Sequence, residues 1–150
     1  MLLLVLIGLT YIAFLPDDAQ KLKLAWADEF NYTGLPDSNK WNYDIGGGGW
    51  GNNELQFYTR GRSENARVEN GYLIIEARKE KWENREYTSA RLITKGKGDW
   101  KYGRIEVSAR IPSGLGTWPA IWMLGSTKPL KWPDDGEIEI MEHVGYDQGK

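Results

Sequence analysis

The chain has no cysteine, and His143 is the single histidine among its 150 residues. Without thiols there can be no disulfides, no thiolate nucleophile and no zinc-thiolate centre. One imidazole makes a histidine-rich metal site or a Ser-His-Asp triad a poor reading, so His143 is read as structural. No excess of one charge is present either. The formal net charge is −2 with a pI near 5.5, and lysines and arginines nowhere gather into a patch, which argues against nucleic acid as a partner. Nor does any apolar run reach the ~20 residues needed to span a bilayer. Leu2–Leu15 (LLLVLIGLTYIAFL) stops at Pro16-Asp17-Asp18 and fits the apolar part of an export signal covering residues 1–19. Two details count against this: no Lys or Arg follows Met1, and Asp17 sits where a small residue is preferred before a cut after Ala19. A short membrane anchor is the alternative. Sustained 3.6-residue periodicity over a helical length is missing as well, which removes the helical fold classes.

What remains is short alternating or β-branched runs separated by turn residues. They are Lys21–Ala25, Ala66–Glu69, Tyr72–Arg78, Tyr87–Thr94, Trp100–Ile111, Thr117–Leu124 and Glu137–Val144. Asn70-Gly71 between the second and third is a strong hairpin signal. In Trp100–Ile111, Ile105, Val107, Ala109 and Ile111 fall on one face. Glycine-rich stretches (Gly46–Gly49, Gly96–Gly98, Ser113–Gly116) divide the runs. With 41% hydrophobic and 27% charged residues the chain is ordered and globular, and its length suits one domain. The expectation is an all-β, antiparallel sandwich over residues 20–150. Because the last acidic strand ends close to Lys150, that sandwich is expected to be the N-terminal part of a domain incomplete at its C-terminus.

Eight tryptophans and eight tyrosines are more than a core of this size usually needs. Flat rings with a polar handle also suit the C–H faces of sugars. In TWPAIWML (Thr117–Leu124), Trp118 and Trp122 point one way while Pro119, Ile121 and Met123 point the other. The stretch DGEIEIMEHVG (Asp135–Gly145) then places Glu137 and Glu139 on one face, and strict alternation would turn Glu142 to the other. A one-residue bulge at Ile140-Met141 would bring Glu142 back. Glu137 and Glu142 would then lie ~13 Å apart at Cα, at ~3.3 Å per strand step. Side chains leaning together would bring the carboxyls to ~5–6 Å, nearer the ~5–5.5 Å of retaining glycosidases than the ~6.5–9.5 Å of inverting ones. The bland alternative is a solvated acidic edge strand. Against it stand the apolar Ile138, Ile140 and Met141 and the neighbouring tryptophan row, which together describe a sugar cleft.

The stretch WPDDGEIEIMEHVG resembles the signature of glycoside hydrolase family 16, especially its laminarinase-like endo-β-1,3-glucanases. The blocks WADEFN, GWGNNELQFYT, ENARVENGYLIIEA, YTSARL, WKYGRIEV and GTWPAIWMLG extend the resemblance over Lys21–Gly145. It implies a β-jelly-roll with a concave cleft and a retaining, endo-acting hydrolase that needs no cofactor for catalysis. Glu137 would be the nucleophile, Glu142 the acid/base and Glu139 the carboxylate between them. Asn52, Glu54 and Arg91, with Trp118 and Trp122, would line the sugar subsites. A structural calcium on Glu29 and the carbonyl of Gly71 is a further implication. The bulged motif is shared with agarases and carrageenases. Glu139 stands where the family pattern has aspartate, which keeps open a non-catalytic β-glucan-binding sandwich. The implied partner is a β-glucan polysaccharide, met outside the cell or at its surface by a monomer with no stable membrane span.

Overall fold

The computed structural model describes residues 22–126 and 128–146; the stretch expected to be an export signal (residues 1–19) and Lys21 lie outside them. Among the described residues there are nine strands and no helix. They are β1 (Asn42–Asp44), β2 (Gln56–Tyr58), β3 (Ala66–Glu69), β4 (Tyr72–Ile75), β5 (Arg78–Trp82), β6 (Arg85–Ser89), β7 (Arg91–Ile93), β8 (Ala120–Leu124) and β9 (Glu137–Glu142). β3 and β4 form the expected hairpin. Asn70 (φ 53°) and Gly71 (φ 80°) both take left-handed conformations, which a two-residue turn matching the strand twist requires. The remaining ladders are β1-β7, β2-β6-β5 and β8-β9. All ladders are antiparallel except β2-β6, which is parallel.

Near β3 and β6 the interior is small and partly polar. Val68, Ala66 and Ala90 are buried, together with Thr59, Asn65 and Thr88. Burying those polar groups is tolerable because each has a partner. Thr59 Oγ1 donates to Asn65 Oδ1 (2.8 Å), and Asn65 Nδ2 donates to Thr88 Oγ1 (2.9 Å) and to the Glu76 carbonyl (3.0 Å). Arg62 closes the network with a bidentate pair to Glu80 (2.5 and 3.0 Å), its guanidinium lying 4.8 Å from the centre of the Trp82 ring. Asp28 anchors the N-terminal segment. Its side chain, 2% exposed, accepts from Trp41 Nε1 (2.8 Å), Tyr32 Oη (3.0 Å) and the Phe30 amide (3.2 Å), with Lys40 Nζ at 3.4 Å.

Four expected runs come out differently, the first being Tyr72–Arg78, which ends as β4 at Ile75 and leaves Arg78 to open β5. Leu22–Ala25 joins no ladder, and Leu22 and Leu24 are exposed. The Tyr87–Thr94 run breaks at Ala90 into β6 and β7, which pair with different sheets. Trp100–Ile111 enters no ladder among the described residues. Its alternation nevertheless sets its face: Ile105, Val107, Ala109 and Ile111 line a groove of about 560 Å³ with Ile121, Ile140 and Met141. Alternation specifies which side chains share a face; a ladder also needs a partner backbone.

Candidate active site

The β8-β9 ladder carries the acids. Leu124 faces Glu137, Met123 faces Ile138 and Trp122 faces Glu139; the register then slips, so that Ile121 faces Met141 and Ala120 faces Glu142. Ile140 is the extra residue of a bulge, at the position the spacing predicts. Residues directly opposite in an antiparallel pair share a face. Glu137, Glu139 and Glu142 therefore lie on one side with Leu124, Trp122 and Ala120. Ile138 and Met141 turn to the other with Met123 and Ile121. The ladder bonds continue past β9, with the His143 amide donating to the Pro119 carbonyl (3.1 Å) and the Gly145 amide to the Thr117 carbonyl (2.8 Å). Trp118 thus sits diagonally across from Glu142 on the same face, and its Nε1 donates to Glu142 Oε1 at 2.9 Å. Glu139 is held above the usual carboxylate range by burial first, then by the charges of Glu142 and Glu137.

A second cluster meets this face at Trp122. The guanidinium of Arg91 lies between two indoles, 4.7 Å from the Trp122 ring centre and 4.6 Å from that of Trp50. Asp44 stands opposite Arg91 in the β1-β7 ladder, and its Oδ2 is 3.0 Å from Arg91 Nε. This is a charge contact rather than a hydrogen bond, since that buried Nε–H is not aimed at the oxygen. Trp50 packs on Tyr58 with ring centres 5.6 Å apart, and Tyr58 Oη donates to Glu54 Oε2 at 2.9 Å. Gln56 Nε2 donates to the same Glu54 oxygen (2.5 Å) and Asn52 Nδ2 to the other (3.4 Å). Burial, and then the charge and hydrogen bond of Glu54, push the Tyr58 phenol well above its ordinary value, so it stays a donor. A continuous chain of contacts runs from Asn52 and Glu54 through Tyr58, Trp50 and Arg91 to Trp122, directly opposite Glu139.

The structure so brings together Glu137, Glu139, Glu142, Trp118, Trp122, Arg91, Asn52 and Glu54. Sequence reasoning overlooked Trp50, Tyr58, Gln56 and Asp44. The alternation of Glu54, Gln56 and Tyr58 could have found two of them, whereas Trp50 reaches Arg91 from a left-handed backbone (φ 51°) that no periodicity announces. Glu29 and Gly71 do not join the cluster. Glu29 is exposed and Gly71 is at the tip of the β3-β4 turn. Two oxygens fall short of the roughly six to eight that calcium takes. Among the described residues no group of three or more His, Cys, Asp or Glu could hold a metal. The described residues alone do not make a calcium site.

These features define a class: an all-β protein whose sheet carries an acid row against an indole row. A family profile described as "XgeA-like, catalytic GH16 domain" matches residues 53–149. The chain is 61% identical to a beta-glucanase of Rhodothermus marinus over 97% of its own length and 52% of the relative's. It is 46% identical to a glucan endo-1,3-beta-glucosidase of Cryptopygus antarcticus, over 81% of this chain and 46% of that one. The crystal structure of the laminarinase from Rhodothermus marinus superposes with a TM-score of 0.81 at 64% identity, covering 84% of this chain and 51% of the other. The chain belongs to glycoside hydrolase family 16, and its fold is the jelly-roll of those laminarinases. It spans about half the length of the relatives it matches.

Proposed function

We propose that the full-length protein is a retaining, endo-acting glycoside hydrolase that cleaves β-1,3-glucan of the laminarin type. The observation that carries this reading is the register slip at Ile140. It sets Glu137, Glu139 and Glu142 on the face of Trp122 while their apolar neighbours turn away. In this reading Glu142 protonates the leaving glycosidic oxygen while Glu137 attacks the anomeric carbon. Glu142, now a carboxylate, then takes a proton from the water that releases the sugar from Glu137. Glu139 holds the nucleophile and lends negative charge beside Glu142. Trp122, backed by Arg91, offers a ring face to a sugar, and Glu54 and Asn52 offer hydrogen bonds to its hydroxyls. The same reading includes export, on the strength of Leu2–Leu15, since a polymeric glucan is met outside the cytoplasm. Among the described residues no helix is long and apolar enough to cross a membrane.

The test is turnover of laminarin, with agar and carrageenan as competing substrates. Glu137→Ala is expected to abolish turnover, and azide to restore cleavage with a product of inverted configuration. Glu142→Ala is expected to spare substrates with good leaving groups, which need little protonation. Near-normal activity of both variants on β-1,3-glucan would remove the two residues from the mechanism. One observation favours a second reading, a glucan-binding sandwich without turnover: glutamate stands at position 139. That reading predicts retention on laminarin with no release of reducing ends.

A further inference from the structure

Trp118 was expected to serve only as a ring platform, yet its indole N–H is committed to a carboxylate. The donor is Nε1 and the acceptor Glu142 Oε1, at 2.9 Å. Three local features fix this geometry. The backbone bonds His143 to Pro119 and Gly145 to Thr117 flank Trp118 on either side, so its Cα cannot slide along β9. The turn before it is closed by Thr117, whose amide (3.0 Å) and hydroxyl (2.6 Å) both donate to the Gly114 carbonyl. That turn rests directly on Gly145, where an added Cβ would lie 2.0 Å from the Gly114 carbonyl oxygen and 2.7 Å from Thr117 Oγ1. Only glycine permits this approach. The turn and the ladder therefore fix the backbone of Trp118, from which its half-exposed indole presents a single N–H to a single carboxyl oxygen.

We propose that Trp118 is a positioning residue for Glu142: its indole N–H takes one carboxyl oxygen, leaving the other to face the glycosidic oxygen. The inference rests on the acid/base role proposed above for Glu142. An indole is a donor only. It can thus hold the unprotonated oxygen of the acid form and directs the proton to the other. When the proton has left, the same N–H stabilises the carboxylate, because a hydrogen bond to the charged form favours it.

Two measurements on the full-length protein separate this inference from the reading beneath it. The first is independent of turnover. The indole N–H resonance of Trp118, assigned by its loss in Trp118→Phe, should shift through a carboxyl titration, and that inflection should vanish in Glu142→Gln. A resonance that ignores pH, or an inflection that survives Glu142→Gln, overturns the proposal whether or not the protein cleaves glucan. The second is kinetic. Trp118→Phe keeps a ring but removes the donor, so kcat on laminarin should fall about tenfold with KM nearly unchanged, the order of one lost hydrogen bond to a carboxyl group. The alkaline limb of its pH profile should move up, and aryl glycosides with good leaving groups should lose least. A rise in KM at constant kcat, with the pH profile unmoved, would mean that Trp118 acts only as a sugar platform and would also overturn the proposal.

Discussion

If the full-length protein turns over laminarin as proposed, replacing Glu139 by aspartate is expected to speed that turnover. Glu139 stands two strand steps, ~6.6 Å, from Glu137, and the bulge leaves a similar effective spacing to Glu142. It also faces Trp122, whose ring already carries the Arg91 guanidinium at 4.7 Å. Its carboxyl stands on an exposed face between two acids and opposite an indole, and what burial it has, then the charges of Glu142 and Glu137, hold it above its ordinary value. Glutamate reaches ~1.5 Å further than aspartate, while a misplacement of ~1 Å near the reacting centre can cost ~100-fold in rate. Part of that reach is absorbed by bending, so an increase in kcat on the order of tenfold is expected for Glu139→Asp, equivalent to ~1.4 kcal/mol of barrier. KM should stay within about twofold, because the indole platforms are untouched. Steady-state kinetics on laminarin with the full-length protein, from pH 4 to 8, decide the matter. Glu139→Gln serves as the control, since it keeps the length and removes the charge. Should Glu139→Asp be no faster than the parent, the crowding idea is wrong and the cleft has accommodated the longer acid.

Two further predictions concern stability, both read from denaturation midpoints of the full-length protein. Asp28→Ala leaves the Trp41 N–H and the Tyr32 hydroxyl without their acceptor, at ~1–3 kcal/mol each, so a loss of roughly 3–5 kcal/mol is expected, with Asp28→Asn costing less. A loss below about 1 kcal/mol would mean that this network holds nothing together. Burial alone would raise the Asp28 carboxyl, but the hydrogen bonds from Trp41, Phe30 and Tyr32 and the Lys40 charge outweigh it and hold the group below its ordinary value. Hydrogen bonds from Arg62 and then Thr88 pull the Glu80 carboxyl down to about 2. A depressed carboxylate contributes stability that is complete above its unfolded-state value and is lost as pH falls through the folded one. Stability should therefore decline between about pH 4.5 and 2, and Glu80→Gln should flatten that decline. An acid limb unchanged in Glu80→Gln would assign it to other groups.

Much of the site was legible because two periodicities conflict within a few residues. Glu137 and Glu139 obey a two-residue repeat and Glu142 breaks it, while Ile138, Ile140 and Met141 give the break its direction. Asn70-Gly71 was legible for a similar reason, since left-handed backbone at two successive positions has few sequence solutions. The Asp44–Arg91 contact was not legible. It depends on the register between β1 and β7, which no local pattern encodes. Nor was it legible that Trp100–Ile111 enters no ladder among the described residues, although Ile105, Val107, Ala109 and Ile111 do share a groove. The Trp118 N–H escaped notice because ring position follows from strand alternation, whereas the direction of a donor follows from the turn beneath it.

The bulge calls for a different explanation from the one its spacing first invites. It is not needed to keep three acids on one face. Deleting Ile140 would leave Glu-Ile-Glu-Met-Glu, a perfect two-residue repeat with all three carboxylates together. What the extra residue changes lies behind and beside the acids. Behind them, Ile140 and Met141 both enter the groove that holds Ile105, Val107 and Ile111, so one cross-strand partner, Ile121, is met by two apolar side chains. Beside them, a bulge bends its strand and increases the local twist. The residue just after it is Glu142, which carries the hydrogen bond from Trp118. Face selection and aiming are thus separate tasks on β9. Alternation accomplishes the first, and the inserted residue, with the Thr117 turn and Gly145, accomplishes the second.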